Sequence, residues 1–456
     1  MDSPHPDKTG PQLERATLTW SARPFRELLR LSVPMVISLL SVSAMTLVDT
    51  LFVGWLGSTE LAAVGLGGMA VFTVVSFGTA LFGAARVRVG EAVGQGDQSV
   101  VHSELGAFLR VGLVLGVLSA LVALLVAQLL PWLSQGGEAA ALAGDYISIR
   151  SLSCPLVLLT QALAQWRQAC GDSRGPMRAT LVANLVHLPL DAGLIFGLDL
   201  GVAGAAWATL ASALVELGLL GLLQRPHGFH LRESSLRAAL ATTVRGLPSA
   251  LERVLDMLAF MAVPLLLLKV GDLHVAVHQI VLQLSLLSFL PLIAVSEAVS
   301  ILAAQAVGAG RAALLVRLAR SGAALSGGYA LLLGILFLLV PKELVRLFNQ
   351  EGPVIELGAS TLALAAALQA INAFYNLAKG ILRGLSAFRF VAWVTVACAW
   401  VFTPPLTFLW GVHDGYGVPG AWLALCVETF FGTLIMGTKL LGHPLIRRGQ
   451  AELSAE

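Results

Sequence analysis

Apolar runs of about 20 residues, each long enough to cross a bilayer as a helix, recur from Leu31 to Leu441 with short polar breaks between them. Twelve runs are legible, at approximately 31–54, 60–84, 104–131, 142–169, 178–197, 202–223, 246–269, 276–306, 317–340, 355–382, 388–410 and 418–441. They predict an all-α integral membrane protein with twelve transmembrane helices. The polar breaks fall into two alternating classes. One holds most of the basic residues, from Arg23, Arg26 and Arg30 before the first helix, through Arg225, Arg232, Arg237 and Arg245 at mid-chain, to Lys439, Arg447 and Arg448 after the last. The other, near 57, 135, 199 and 414, has neither Lys nor Arg; only Lys269, Lys342 and Arg346 depart from the alternation. Positive charge marks the cytoplasmic side, so both termini are expected there.

Composition agrees with this pattern. The 456 residues are 57% hydrophobic and 12% charged, with a mean hydropathy of +0.82, about half the charged fraction of an average soluble domain. The first 30 residues are polar and mixed in charge, without the apolar core of a signal peptide. The four cysteines, Cys154, Cys170, Cys398 and Cys426, show no CxxC spacing and read as small packing residues.

Four local patterns recur in order at an offset of 212–216 residues. Pro34 in LSVPMV matches Pro248 in RGLPSA, and Gly57 matches Gly271. EAVGQGD (91–97) matches QAVGAGR (305–311). GVAGAAWATL (201–210) matches GVPGAWLALC (417–426), and each is followed by an acid, Glu216 or Glu428. Six helices return the chain to its starting side, so the halves are parallel repeats, a layout found in transporters that rock two bundles about a central site. The expected organisation is a cytoplasmic segment 1–30, an N-lobe 31–224, a connector 225–245 with a short amphipathic surface helix, a C-lobe 246–441 and a cytoplasmic tail 442–456.

LVDTLFVGWLGSTELAAVGLG (47–67), QACGDSRGPM (168–177), LDAGLIFGLDLGVAGAAWAT (190–209) and ILAAQAVGAG (301–310) resemble the multidrug and toxic compound extrusion (MATE) family, nearest its prokaryotic DNA-damage-inducible F branch. The resemblance spans about 30–440 and implies two six-helix lobes around a V-shaped cleft, with cation-driven export of amphiphilic compounds. It also implies a proton- or sodium-sensitive polar cluster in the N-lobe. Asp49, in the VDT triplet, stands at the family's first-helix carboxylate, and Asp191 at its fifth-helix carboxylate. Thr209 matches a sixth-helix hydroxyl, and Gln161 takes the place of a fourth-helix asparagine. His187 replaces the usual asparagine four residues before Asp191, and Ser43 stands where some members have a second acid. Asp256, eight residues after Pro248, lies where other branches carry a seventh-helix Glu resembling a cation ligand.

The residues support part of this independently. An acid in hydrocarbon is costly and usually faces a bundle interior or an aqueous cavity, and a proton carrier must be neutral in one access state and ionised in the other. Asp191 fits that need; the plainer reading is an acid that fixes a helix. His187 lies one turn earlier and can face the same side, as a proton partner or as a packing group. Pro189 between them favours a kink. Asp49 lies nearer the outer end of its helix, where a solvated turn residue is the alternative. Pro34 offers a hinge or a static bend. Glu252, Arg253 and Asp256 fall within about one turn and form either a second cation or substrate site or an internally neutralised set. Gln279, Gln283, Gln369, Asn372 and Asn376 are expected to line the cleft or join helices by hydrogen bonds.

The glycine-rich EAVGQGD and QAVGAGR elements lack the GK[ST] of a phosphate loop, and there is no HExxH or nucleophile elbow. No enzyme, cofactor, bound metal or nucleic-acid partner is expected, and the chain reads as a monomer. The leading expectation is an inner-membrane antiporter exchanging lipophilic, cationic compounds for protons, with sodium as the alternative coupling ion. A flippase for a lipid-linked precursor and, more remotely, an intramembrane enzyme are the competing readings.

Overall fold

The computed structural model describes residues 18, 20–133, 137–231 and 234–455. Arg232 of the connector and most of the 1–30 segment lie outside them. Fifteen helices carry the chain: α1 (Pro24–Gly54), α2 (Ser58–Gln95), α3 (Gln98–Leu133), α4 (Glu138–Ser151), α5 (Ser153–Ala169), α6 (Arg174–Ala192), α7 (Gly201–Gln224), α8 (Leu236–Leu267), α9 (Asp272–Gly308), α10 (Ala312–Leu339), α11 (Pro341–Arg346), α12 (Gly352–Gly384), α13 (Phe388–Leu406), α14 (Gly417–Leu441) and α15 (Pro444–Ala455). Ten are long and apolar enough to span a membrane, and α4 with α5, bent by 48°, makes an eleventh span. The twelfth is α8. It is 32 residues long, but Arg245, Glu252, Arg253 and Asp256 dilute its apolar character. In a bilayer every backbone polar group must be satisfied within the chain, so helices are the natural solution.

The spans differ from expectation mainly at their ends. Helix α2 continues to Gln95 rather than 84, and α8 begins at Leu236 rather than 246. Bilayer thickness sets the apolar length, but a helix can continue into water until a residue stops it; for α2 that residue is Gly96, left-handed at φ 78°. Among its described residues the connector accordingly holds a single 3₁₀ turn, Arg225–His227, and its second half joins α8 instead of forming a separate surface helix. The C-terminal tail is a helix, α15. Its Ile446 is buried, and Glu452 accepts a hydrogen bond of 3.1 Å from the Ala313 backbone N–H at the start of α10.

The internal repeat is written in the element boundaries. Ser58 and Asp272, Gln98 and Ala312, Glu138 and Gly352, and Arg174 and Phe388 each open a helix, and each pair is 214 positions apart. The same offset relates two π-helical segments, Gly193–Gly197 after α6 and Thr407–His413 after α13. Both follow prolines, Pro189 and Pro404–Pro405. A proline removes an N–H and disturbs the i→i−4 ladder, and π segments are one way of absorbing that disturbance. Helix α1, by contrast, runs unbroken through Pro34.

The two six-helix lobes meet where α1 and α2 pack against α8 and α9. Leu28, Leu31 and Met35 of α1 pack against Ala294, Val295, Ala298 and Leu302 of α9. The Trp20 indole donates to Gln305 (2.9 Å), which donates to the Ala169 carbonyl (3.0 Å). Arg86 pairs with Glu297 at 3.3 Å, and Ser386 donates to Glu91 at 2.9 Å. Here the backbones themselves touch. A Cβ at Gly94 would collide with the Gln305 carbonyl, one at Gly308 with the Glu91 carbonyl, and one at Gly246 with the Leu81 carbonyl. The lobes therefore form a V, closed where the glycines of EAVGQGD and QAVGAGR lie.

Candidate functional site

Asp49, His187 and Asp191 come together from α1 and α6. Each offers one ligand atom, and the three atoms lie within 4.8 Å of one another. Asp191 is completely buried and His187 is 3% exposed; the His187 Nδ1 stands 3.9 Å from an Asp49 oxygen. Both Asp191 oxygens, Asp49 Oδ1 and His187 Nε2 are buried without a hydrogen-bond partner. Unpaired buried polar atoms are costly, so the cluster is primed for a proton, a cation or water.

Neighbouring elements hold it in place. One turn before His187, Asn184 donates to Ser41 of α1 at 2.7 Å and fastens α6 to α1. Beyond Asp191, Phe196 of the π segment meets Phe52 edge-to-face and Trp55 at a tilt, at centroid distances of 5.8 and 6.0 Å, anchoring the C-terminal end of α1. Two side chains that the sequence reading passed over complete the surroundings. Tyr146 is buried, and Arg150, one turn on, carries its guanidinium 6.0 Å from the Tyr146 ring centroid. The Arg150 Nε is buried without a partner. The rule that flags an intramembrane acid flags an intramembrane arginine equally; Arg150 and Tyr146, four apart, were findable by it.

Two expected members are not joined to the cluster. The Thr209 hydroxyl donates to its own helix at Ala205 O, 2.9 Å. Gln161 lies in α5, past the bend at Leu152, and among the described residues no hydrogen bond connects it to the carboxylates.

The C-lobe set is also rearranged. Arg253 is exposed, and Glu252 instead meets two cations of α12, Lys379 at 2.7 Å and Arg383 at 2.9 Å. Helix α8 turns Glu252 inward and Arg253 outward. The Lys379 ammonium also lies 5.4 Å from the Tyr375 ring centroid. Glu216 and Glu428 play matching parts in the two lobes, accepting from Thr180 at 2.6 Å and Thr403 at 2.5 Å.

Among the amides, Gln369 is buried and donates to Ser288, joining α12 to α9. Asn376 donates to Asn372 at 2.7 Å and through its carbonyl accepts from Ser296. Gln279 and Gln283 are exposed on α9.

The family model MatE matches residues 34–192 and 248–409. A probable multidrug resistance protein NorM of Rhizobium meliloti (strain 1021) is 28% identical over 456 residues, covering 94% of this chain and 96% of the relative. Multidrug resistance protein MdtK of Pectobacterium atrosepticum is 26% identical, covering 91% and 94%. Among solved structures, the Vibrio cholerae MATE transporter VcmN in its bent form superposes with a TM-score of 0.84 at 21% identity, over 95% of this chain and 99% of that one. An outward-facing MATE family transporter of the MOP superfamily gives 0.82 at 20% identity, over 95% and 96%. These relatives are transporters, which removes the intramembrane-enzyme reading. The two repeats, the V they form and the matched family segments lead to one assignment: the chain belongs to the MatE family of membrane transporters.

Proposed function

We propose that the protein is a secondary active multidrug efflux antiporter of the bacterial inner membrane, exchanging protons for lipophilic, cationic compounds. The observation that carries this reading is the cluster of Asp49, His187 and Asp191, whose buried polar atoms lack partners. A carboxylate there can be neutral when protonated and charged when not, and the two forms favour different packing of α1 on α6. Substrate and proton then stabilise different states of the V and displace one another. The basic loops support cytoplasmic termini; in that orientation the glycine-sealed end faces inward and the cleft opens outward. Gln279 and Gln283, exposed at membrane depth on α9, supply polar contacts to the cleft, because lipid would leave their amides unsatisfied. The relatives' names, multidrug resistance proteins NorM and MdtK, support the substrate class.

Counter-transport in proteoliposomes, with proton and sodium gradients imposed separately, tests the reading. A proton gradient should drive export of a lipophilic cation such as ethidium. Asp191→Asn, which keeps shape but cannot ionise, should lower that export at least about 100-fold at equal expression. Asp49→Asn should leave a small residue of activity. Undiminished export by Asp191→Asn removes the cluster from the mechanism.

A further inference from the structure

Away from the carboxylate cluster, a cavity of about 910 Å³ opens between the start of α1 and the start of α6. We propose that it holds the headgroup of an anionic phospholipid, with an acyl chain following an apolar crevice between α1, α9 and α10. The proposal does not depend on the coupling chemistry. The orientation read from the basic loops decides only which leaflet supplies the lipid, the cytoplasmic one.

Charge is the first observation. Arg23, Arg26, Arg30 and Arg174 line the cavity, and Glu27 is the acid in its wall. Four guanidinium groups against one carboxylate leave a surplus of three positive charges. Glu27 approaches Arg30 at 3.4 Å. Among the described residues no side-chain hydrogen bond or ion pair engages Arg23, Arg26 or Arg174. Asp172, two positions before Arg174, is held instead by Arg167 at 2.6 Å. Guanidinium groups stay charged and match the oxygens of a phosphate, and basic pockets between spans at the cytoplasmic side bind anionic headgroups. The volume lies within the range of about 300–1,000 Å³ usual for ligand pockets.

The order of the lining residues is the second. Arg26, Arg30, Val33 and Ile37 succeed one another at intervals of four, three and four, so they share one face of α1. That face is basic at its start and apolar beyond. Helix α6 repeats the order, with Arg174 followed one turn on by Met177. Arg30 is the last charge before the apolar run that opens at Leu31, so the arginines stand at headgroup depth. Val33 and Ile37, both exposed, lie one and two turns deeper, toward hydrocarbon. Ser173 donates to the Arg30 carbonyl at 3.3 Å and ties the two walls together. Leu29 and Val33 also line a second space of about 100 Å³, whose far wall includes Leu292 and Val295 of α9 and Leu325 of α10. A basic cavity adjoining a mainly apolar crevice reproduces the two halves of a phospholipid. A free phosphate compound would make no use of the apolar half.

Thermal unfolding of the purified full-length protein tests the proposal. The protein is stripped of lipid in a neutral detergent, and dioleoylphosphatidylglycerol or dioleoylphosphatidylcholine is added in equal amount. Phosphatidylglycerol should raise the wild-type midpoint at least about 3 °C above phosphatidylcholine, as expected of a ligand that binds only the folded state. Inorganic phosphate at the same concentration should not reproduce the gain. Arg26→Gln/Arg30→Gln/Arg174→Gln should lose most of it, and Arg174→Gln alone, the milder change, should reduce it. Arg320→Gln/Arg389→Gln/Arg447→Gln removes the same charge from exposed positions outside the cavity and should keep it. Equal wild-type midpoints in the two lipids overturn the proposal whether or not any variant folds. An equal response to phosphate overturns it too, as does a full gain in Arg174→Gln or loss of the gain from the control triple. None of these readouts involves export, so their failure is separable from that of the antiporter reading.

Discussion

At the scale of single residues, burial decides what a charge contributes. Lys342 and Glu356 approach to 2.6 Å, but their side chains are 45% and 68% exposed, and such pairs contribute about 0–1 kcal/mol. Glu252 is 4% exposed and holds both Lys379 and Arg383. Removing one partner of a buried ion pair strands the others, at a cost of about 3–5 kcal/mol. Glu252→Ala should therefore lower the thermal midpoint in detergent by many degrees or prevent accumulation of folded protein, whereas Glu356→Ala should leave it nearly unchanged. Equal midpoints for the two variants would mean that the Glu252 network is not structural. The same contrast explains what was legible at this scale. The cost of an acid in hydrocarbon made Asp191 stand out, and the same cost applied to Arg150, which is apparent only when arginines within spans are counted beside those in loops.

At the scale of elements, the breaks in the helices matter as much as the helices. A π segment follows Asp191 at the end of α6, and a 48° bend at Leu152 follows Arg150 at the end of α4. A proline could be expected to disturb its helix, but Pro34 lies in an unbroken α1 while Pro189 is followed by a π turn. The response of a helix to proline depends on its neighbours, which repair or exploit the lost hydrogen bond. Contacts between elements are equally specific. Helices α2 and α9 approach so closely that Gly94 has no room for a side chain beside Gln305. Gly94→Val should keep the lobes from closing. Export should fall at least about tenfold while far-UV circular dichroism stays native, and a cysteine introduced on the sealed face should become reactive to a water-soluble maleimide. A transport-competent Gly94→Val, still protected from the reagent, would show that this seam is not the gate.

At the scale of the whole molecule, function requires the V to open and close, and the seam offers a direct handle. A Cβ at Gly90 would stand 3.0 Å from the Ala304 methyl, slightly inside the span of about 3.5–4.5 Å between the Cβ atoms of a disulfide. A small lobe displacement opens that gap. In a background with the four native cysteines replaced, the Gly90→Cys/Ala304→Cys pair should crosslink under mild oxidation and stop export, and reductant should restore it. Export that continues unchanged in the crosslinked protein would refute alternating access by lobe separation at this seam. Rapid crosslinking would itself report that the closed seam is well populated.

The sequence by itself determined the twelve spans, their helical character, the internal repeat and the presence of acids at membrane depth. These properties follow from local rules: a bilayer sets the length of an apolar run, lipid forces the backbone to satisfy itself, and a charge among apolar residues is visible in one dimension. Tertiary structure alone decided which side chains meet. Gln161 and Thr209 share the membrane depth expected of cluster members, yet one lies beyond a bend and the other bonds to its own helix. Arg253 adjoins Glu252 in sequence, yet the partners of that acid come from α12, more than a hundred residues away. Such meetings depend on how each helix is rotated and tilted against its neighbours. Small residues, backbone approach and ridge packing set those angles across the whole bundle, and no single stretch of sequence contains them.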